Sequence, residues 1–125
     1  MSLNKIYRIS EALLTVSSDV SHYEAVDKKD KYIVWAEDME SGALNANNRK
    51  VVQKIQGTID YFTKNDRDPM ADKIQEALSA AGIQFYLSSV QYEDETGYIH
   101  YEWGVGGELM ATISVKGLEA YALRL

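Results

Sequence analysis

The sequence predicts an α+β fold: a single mostly antiparallel sheet with two helices packed on one face and a long hairpin near the C-terminal half. Three observations predict it. Two stretches place apolar residues at helical spacing, four runs are rich in β-formers or alternate with period two, and hairpins predominate over βαβ crossovers in the order of elements.

From Asn4 to Thr15, Ile6, Ile9 and Leu13 fall on one stripe with Leu3, Tyr7 and Leu14 beside it, which predicts an amphipathic first helix. A polar stretch, "SSDVSHYEAVDKKD", follows and reads as a loop that holds His22. The run "KYIVWAE", Lys31 to Glu37, is too short and too rich in β-formers for a helix and predicts a central strand. "DMESGALNANN", Asp38 to Asn48, is dense in Asn, Ser and Gly and predicts the longest irregular connection in the chain. Between Val51 and Phe62, Val51, Ile55, Gly57, Ile59 and Tyr61 alternate with Gln56, Thr58 and Asp60, as in a long strand, and Gly57 marks a candidate bulge.

The strongest helix signal is "NDRDPMADKIQEALSAAG". Asp68 can accept from the orphan amides of a first turn, Pro69 suits the first helical position because its missing N–H would be unpaired there, and Gly82 supplies a left-handed stop. Met70, Ile74, Ala77, Leu78 and Ala81 form the buried stripe. Then "IQFYLSSVQY" and "YIHYEWGV" are β-rich runs joined by "EDETG", with Gly97 at the special backbone position of the turn. Beyond them "MATISV" alternates well enough for one more strand.

A chain of 125 residues has room for one domain, 1–125. With no cysteine it has no disulfide framework, thiolate nucleophile or thiolate zinc site. No apolar run approaches the roughly 20 residues that span a bilayer, and "MSLNKIYRI" lacks the basic start and apolar block of a signal peptide, so synthesis in the cytosol without a membrane partner is expected. The 19 acids against 13 bases give a net charge of −6, without a basic cluster beyond Lys28-Lys29. Affinity for nucleic acid rests on neutralising phosphates, so sequence-specific nucleic-acid binding is not expected.

The chemistry-bearing residues are few. Alternation places His100 on one face with Tyr98 and Glu102, and a His-x-Glu pair supplies two metal ligands where catalytic zinc takes three from the protein. Ser88 and Ser89 could approach His100 across the hairpin, yet the chain has no G-x-S-x-G elbow. "EDETG" does not space its oxygens as a calcium loop does, and "GVGG" lacks the rest of a phosphate-binding loop. No catalytic residue, cofactor or metal is expected, and the chain is expected not to be an enzyme. Nine tyrosines and two tryptophans point elsewhere, because such side chains bring large contact area at small entropic cost. Trp35 and Tyr61 are expected in the core. Tyr92, Tyr98, His100, Tyr101 and Trp103, with the acidic turn Glu93, Asp94 and Glu95, form the candidate interface.

Together "YIVWAED", "IQGTIDYFTKNDRDPMADKIQEAL" and "GYIHYEW" resemble a family of small tailed-bacteriophage and prophage proteins. These are the tail terminator or tail-completion proteins, also labelled minor capsid or tail-component proteins, of phages of Gram-positive bacteria. The resemblance runs from about Lys5 to Trp103, and its feature is the order of a strand ending "TIDYFTK", a short acidic linker with "DP", a helix ending in Gly and a hairpin ending "YIHYEW". The segment 104–125 falls outside it. The resemblance implies a structural virion protein, assembled in the host cytoplasm, that forms a ring, commonly a hexamer, on the end of the tail tube. Such a ring stops tube growth and joins the head connector, so the implied partners are further copies of the chain, the tail tube protein and a head-completion protein. The hairpin and the segment from Asp38 to Asn48 are the expected subunit contacts, and surplus acid in the lumen would repel a passing duplex. The alternative is a small cytosolic module that binds protein through its tyrosine-rich hairpin.

Overall fold

The structure, a computed structural model, describes residues 3–46, 49–106 and 110–112. A 3-10 turn, Leu3–Tyr7, leads into helix α1, Arg8–Leu14; Ile6, Ile9 and Leu13 face inward as the spacing predicts, joined by Ala12, while Leu3, Tyr7 and Leu14 beside the stripe are exposed. The other elements are β1 (Val20–His22), β2 (Lys31–Ala46), β3 (Arg49–Thr63), α2 (Met70–Ala80), β4 (Gln84–Tyr92), β5 (Ile99–Gly106) and β6 (Met110–Thr112). The strand order is β1-β2-β3-β5-β4, with β6 pairing farther along β3, and β1 against β2 is the one parallel pair among them. This is the expected α+β architecture. The last three residues of "MATISV" lie outside the described residues.

Both helices bury their stripes against the same side of the sheet. Ile9 and Leu13 of α1 and Ile74 and Leu78 of α2 pack on Ile33, Trp35, Ile59, Tyr61, Trp103 and Val105. The Arg8 side chain ties the helices together by donating from Nη2 to the Ala81 carbonyl (2.8 Å). Asp68 caps α2, its Oδ1 accepting from the Met70 amide (2.9 Å), and Gly82 ends that helix at φ 72°.

Two expectations are corrected. Asp38 to Ala46 is strand, not irregular connection, because β2 continues along β3 until Ala46 pairs with Arg49; residues 47 and 48 lie outside the described residues. Its turn-like composition is accommodated by register shifts at Glu37/Met39, Glu40/Gly42 and Leu44/Asn45. At the first of these Gly57 lies opposite Glu37, so close to β2 that a Cβ would stand 2.5 Å from the Ala36 carbonyl oxygen. The second correction concerns His22, which belongs to a strand and not a loop. Val20–His22 is too short to show a period, and it becomes a strand by using the free edge of β2: the Ile33 amide donates to the Asp19 carbonyl and the Tyr23 amide to the Trp35 carbonyl (both 2.8 Å).

Candidate functional site

The sheet side opposite the helices is organised by register into cross-strand rows. Tyr32, Phe62 and His100 form one row and Val34, Asp60 and Glu102 the next. Phe62 stacks between Tyr32 (4.7 Å) and His100 (4.3 Å, 15° between planes), which sets the orientation of the imidazole. The His100 ring N–H at Nε2 donates to Asp60 Oδ1 (2.6 Å), and the ligating atoms of Asp60, His100 and Glu102 all lie within 4.8 Å of one another. Across β4, Ser88 Oγ donates to Glu102 Oε2 (2.8 Å), and Thr58 Oγ1 donates to Asp38 Oδ2 (2.7 Å). Burial pushes the Asp60 carboxyl up; the His100 hydrogen bond and charge partly offset this, and nearby Glu102 and Asp38 add to the upward push. A depression of about 290 Å³, lined in part by Asp38, Thr58, Ser88 and Glu102, opens beside the cluster.

The eight side chains singled out in the hairpin are divided by the fold. Trp103 is only 1% exposed and donates from Nε1 to Gln75 Oε1 (3.1 Å), so it belongs to the core and not to a surface, a correction to its place in the candidate interface. Tyr98 is also buried, wedged beside Tyr32 and Phe62 with its hydroxyl donating to the Lys29 carbonyl (2.7 Å). Alternation hid this, because the outer side of the sheet carries an aromatic cluster of its own. Tyr101 is half-buried between Tyr61 and Trp103, and His100 lies in the polar cluster. Tyr92, Asp94 and Glu95 are exposed, with Glu93 half-buried; the Glu93 carbonyl accepts from the Gly97 amide in a turn where Gly97 has φ 77°.

The apolar surface lies instead on β4, of which only Tyr92 was expected in the interface. Leu87 is 47%, Val90 49% and Tyr92 65% exposed. They pair with Trp103, Tyr101 and Ile99, so all three point to the helix-bearing side, beyond the cover that the helices provide. Leu87 and Val90 share that side because the register shifts between Leu87 and Ser89; without the extra residue, two side chains three apart would face opposite ways. On the other side Tyr86 lies across Gly104, occupying the space that a Cβ would fill. From Gln84 to Tyr92 the strand has no charge and no proline, and among the described residues nothing pairs with its outer edge. The signal for this surface was present as an uncharged nine-residue run, "QFYLSSVQY".

At the opposite end of the sheet β1 covers β2 only at Ile33, Val34 and Trp35. Among the described residues the rest of the outer edge of β2 also lacks a strand. No helix among the described residues is long and apolar enough to cross a membrane. No protein-family model matches the chain, and no curated protein matches it.

Proposed function

We propose that the chain is a structural assembly protein that forms a ring on the end of a phage tail tube, ends tube growth and offers its other face to the head connector. The observation that carries the assembly reading is β4, an uncharged edge strand with Leu87, Val90 and Tyr92 displayed on it. A long open edge of this kind is a template for pairing with another chain unless it is blocked by charge, proline or cover. A cyclic assembly needs two different surfaces that meet head to tail. The edge of β4 and the uncovered length of β2 stand at opposite ends of one sheet and supply such a pair. In this reading the segment from Asp38 contributes to subunit contact as a strand edge. The tail-terminator assignment rests on the family resemblance in "TIDYFTK", the "DP" helix and "YIHYEW", and no enzymatic role belongs to it.

Electron microscopy of tails assembled without this chain is the direct test. Overlong tubes are expected; tubes of normal length would overturn termination, and normal tails lying beside unattached heads would leave a joining role alone. Native mass spectrometry of the purified chain, with and without tube protein, tests the ring. Monomer under every condition would overturn it.

A further inference from the structure

We propose that Asp60, His100 and Glu102 form a divalent-metal site of the zinc class on the sheet side opposite the helices, with one imidazole and two carboxylates as ligands. The proposal is independent of the assembly reading, since it concerns two adjacent central strands and not an edge.

The geometry carries it. Asp60 on β3 and Glu102 on β5 are direct cross-strand partners, and His100 lies two residues from Glu102 on the same side of β5. Their donor atoms already lie within 4.8 Å of one another, a spread that small rotations about the side-chain bonds would gather around an ion bound at roughly 2.0–2.2 Å. Two of the three ligands are also held from behind. Phe62 stacks on the imidazole, and the Ser88 hydroxyl bonds the Glu102 carboxylate, as outer-shell partners of metal ligands do.

Charge points the same way. The carboxylates of Glu102 and Asp38 both push the Asp60 carboxyl up, so negative charge is crowded beside the imidazole. A dication would remove that repulsion. Mixed imidazole and carboxylate ligands suit zinc better than calcium or magnesium, which prefer oxygen alone. Binding replaces the Asp60–His100 hydrogen bond: the neutral imidazole ligates through the Nε2 lone pair in the tautomer that carries its single proton on Nδ1. Three protein ligands leave a fourth position for water or another donor, and the depression beside Ser88 and Glu102 gives access to it.

The test uses the untagged chain, titrated with Zn²⁺ alone by calorimetry and with Co²⁺ by visible absorption. One Zn²⁺ per chain is expected, with intense low-symmetry Co²⁺ bands. Asp60→Asn, Glu102→Gln and His100→Ala should each weaken zinc at least about 100-fold, and Ser88→Ala by about 10-fold. His22→Ala should bind as the parent does. Circular dichroism of each variant establishes that it is folded, and the isosteric Asp60→Asn and Glu102→Gln, with the exposed Ser88→Ala, keep the test free of gross unfolding. Absence of binding by the parent chain, the weak spectrum of hydrated Co²⁺ alone, or equal affinity in the parent and the Glu102→Gln and Asp60→Asn variants would overturn the proposal.

Discussion

The hydroxyl of Tyr61 donates a 2.6 Å hydrogen bond to Asp68 Oδ2, which joins the central strand β3 to the cap of α2 inside the protein. The same carboxylate accepts from Thr63 Oγ1 (2.7 Å) and the Met70 amide (2.9 Å), and Lys31 Nζ lies 3.2 Å away. Burial alone would raise the Asp68 carboxyl, but these hydrogen bonds outweigh it and hold it at about 2. Burial and the Asp68 contact push the Tyr61 phenol far up, so it stays a donor across the ordinary pH range.

Replacement of Asp68 by alanine removes the cap and leaves two inward hydroxyls without their acceptor. A loss of about 3 kcal/mol is expected. It would be read from the urea midpoint.

Acid should act through the same residue. Its folded-state value lies below the unfolded one of about 3.9, so its stabilisation, about 2 kcal/mol, is complete above about pH 4 and lost as pH falls towards 2. Urea titrations of the parent and Asp68→Asn should therefore converge in that window. A constant gap between them down to pH 2 would refute the linkage.

Two glycine-to-alanine changes on neighbouring strands should behave oppositely. At Gly57 the new methyl meets the fixed Ala36 carbonyl, and a loss of about 2 kcal/mol or more is expected. At Gly104 the atoms it meets first belong to the exposed Tyr86 ring, which can swing aside, so the change should stay within about 1 kcal/mol. Thermal unfolding of the two variants would decide the matter.

On the assembly reading proposed above, lysine at Leu87 and Val90 should abolish self-association while leaving the single chain's stability within about 0.5 kcal/mol, because both side chains are half exposed. Glu11→Lys, at an exposed position of α1 away from both strand edges, should assemble as the parent does. Sedimentation velocity distinguishes these outcomes.

His22 is sandwiched between Trp35 (3.8 Å, 6°) and Tyr23 (3.7 Å, 17°), and its Nε2 lies 2.7 Å from Glu37 Oε2. The Tyr23 hydroxyl donates to the same Glu37 carboxylate, and together these contacts hold Tyr23 at φ 71°, a left-handed backbone that a bulky residue resists. His22→Ala should cost about 1 kcal/mol and shift Trp35 emission to the red as water reaches its face. Unchanged emission would show that the stack does not shield the indole.

Much of the fold was legible because its signals are local. Ile74 and Leu78 could be placed by spacing, Asp68 and Gly82 by cap chemistry, and Ile59 and Tyr61 by alternation against Thr58 and Asp60. The β1 strand and the far half of β2 were not legible, since three residues show no period and Asn, Ser and Gly are turn-formers by themselves; pairing with a neighbour overrides both. In the candidate site His100 and Glu102 were visible as a pair, but Asp60, 40 residues earlier, was not visible as their partner.

The sequence by itself determined the two helices with the stop signal of the second and the apolar side of β3, because those properties depend on the backbone preferences and spacing of adjacent residues. Tertiary structure alone decided that β5 lies between β3 and β4. That one insertion places β4 at an edge that no other described strand pairs with, seals Trp103 inside and brings His100 against Asp60. The physical reason is that strand order and register are settled by hydrogen bonds and side-chain packing between segments far apart in the chain, which no local pattern encodes.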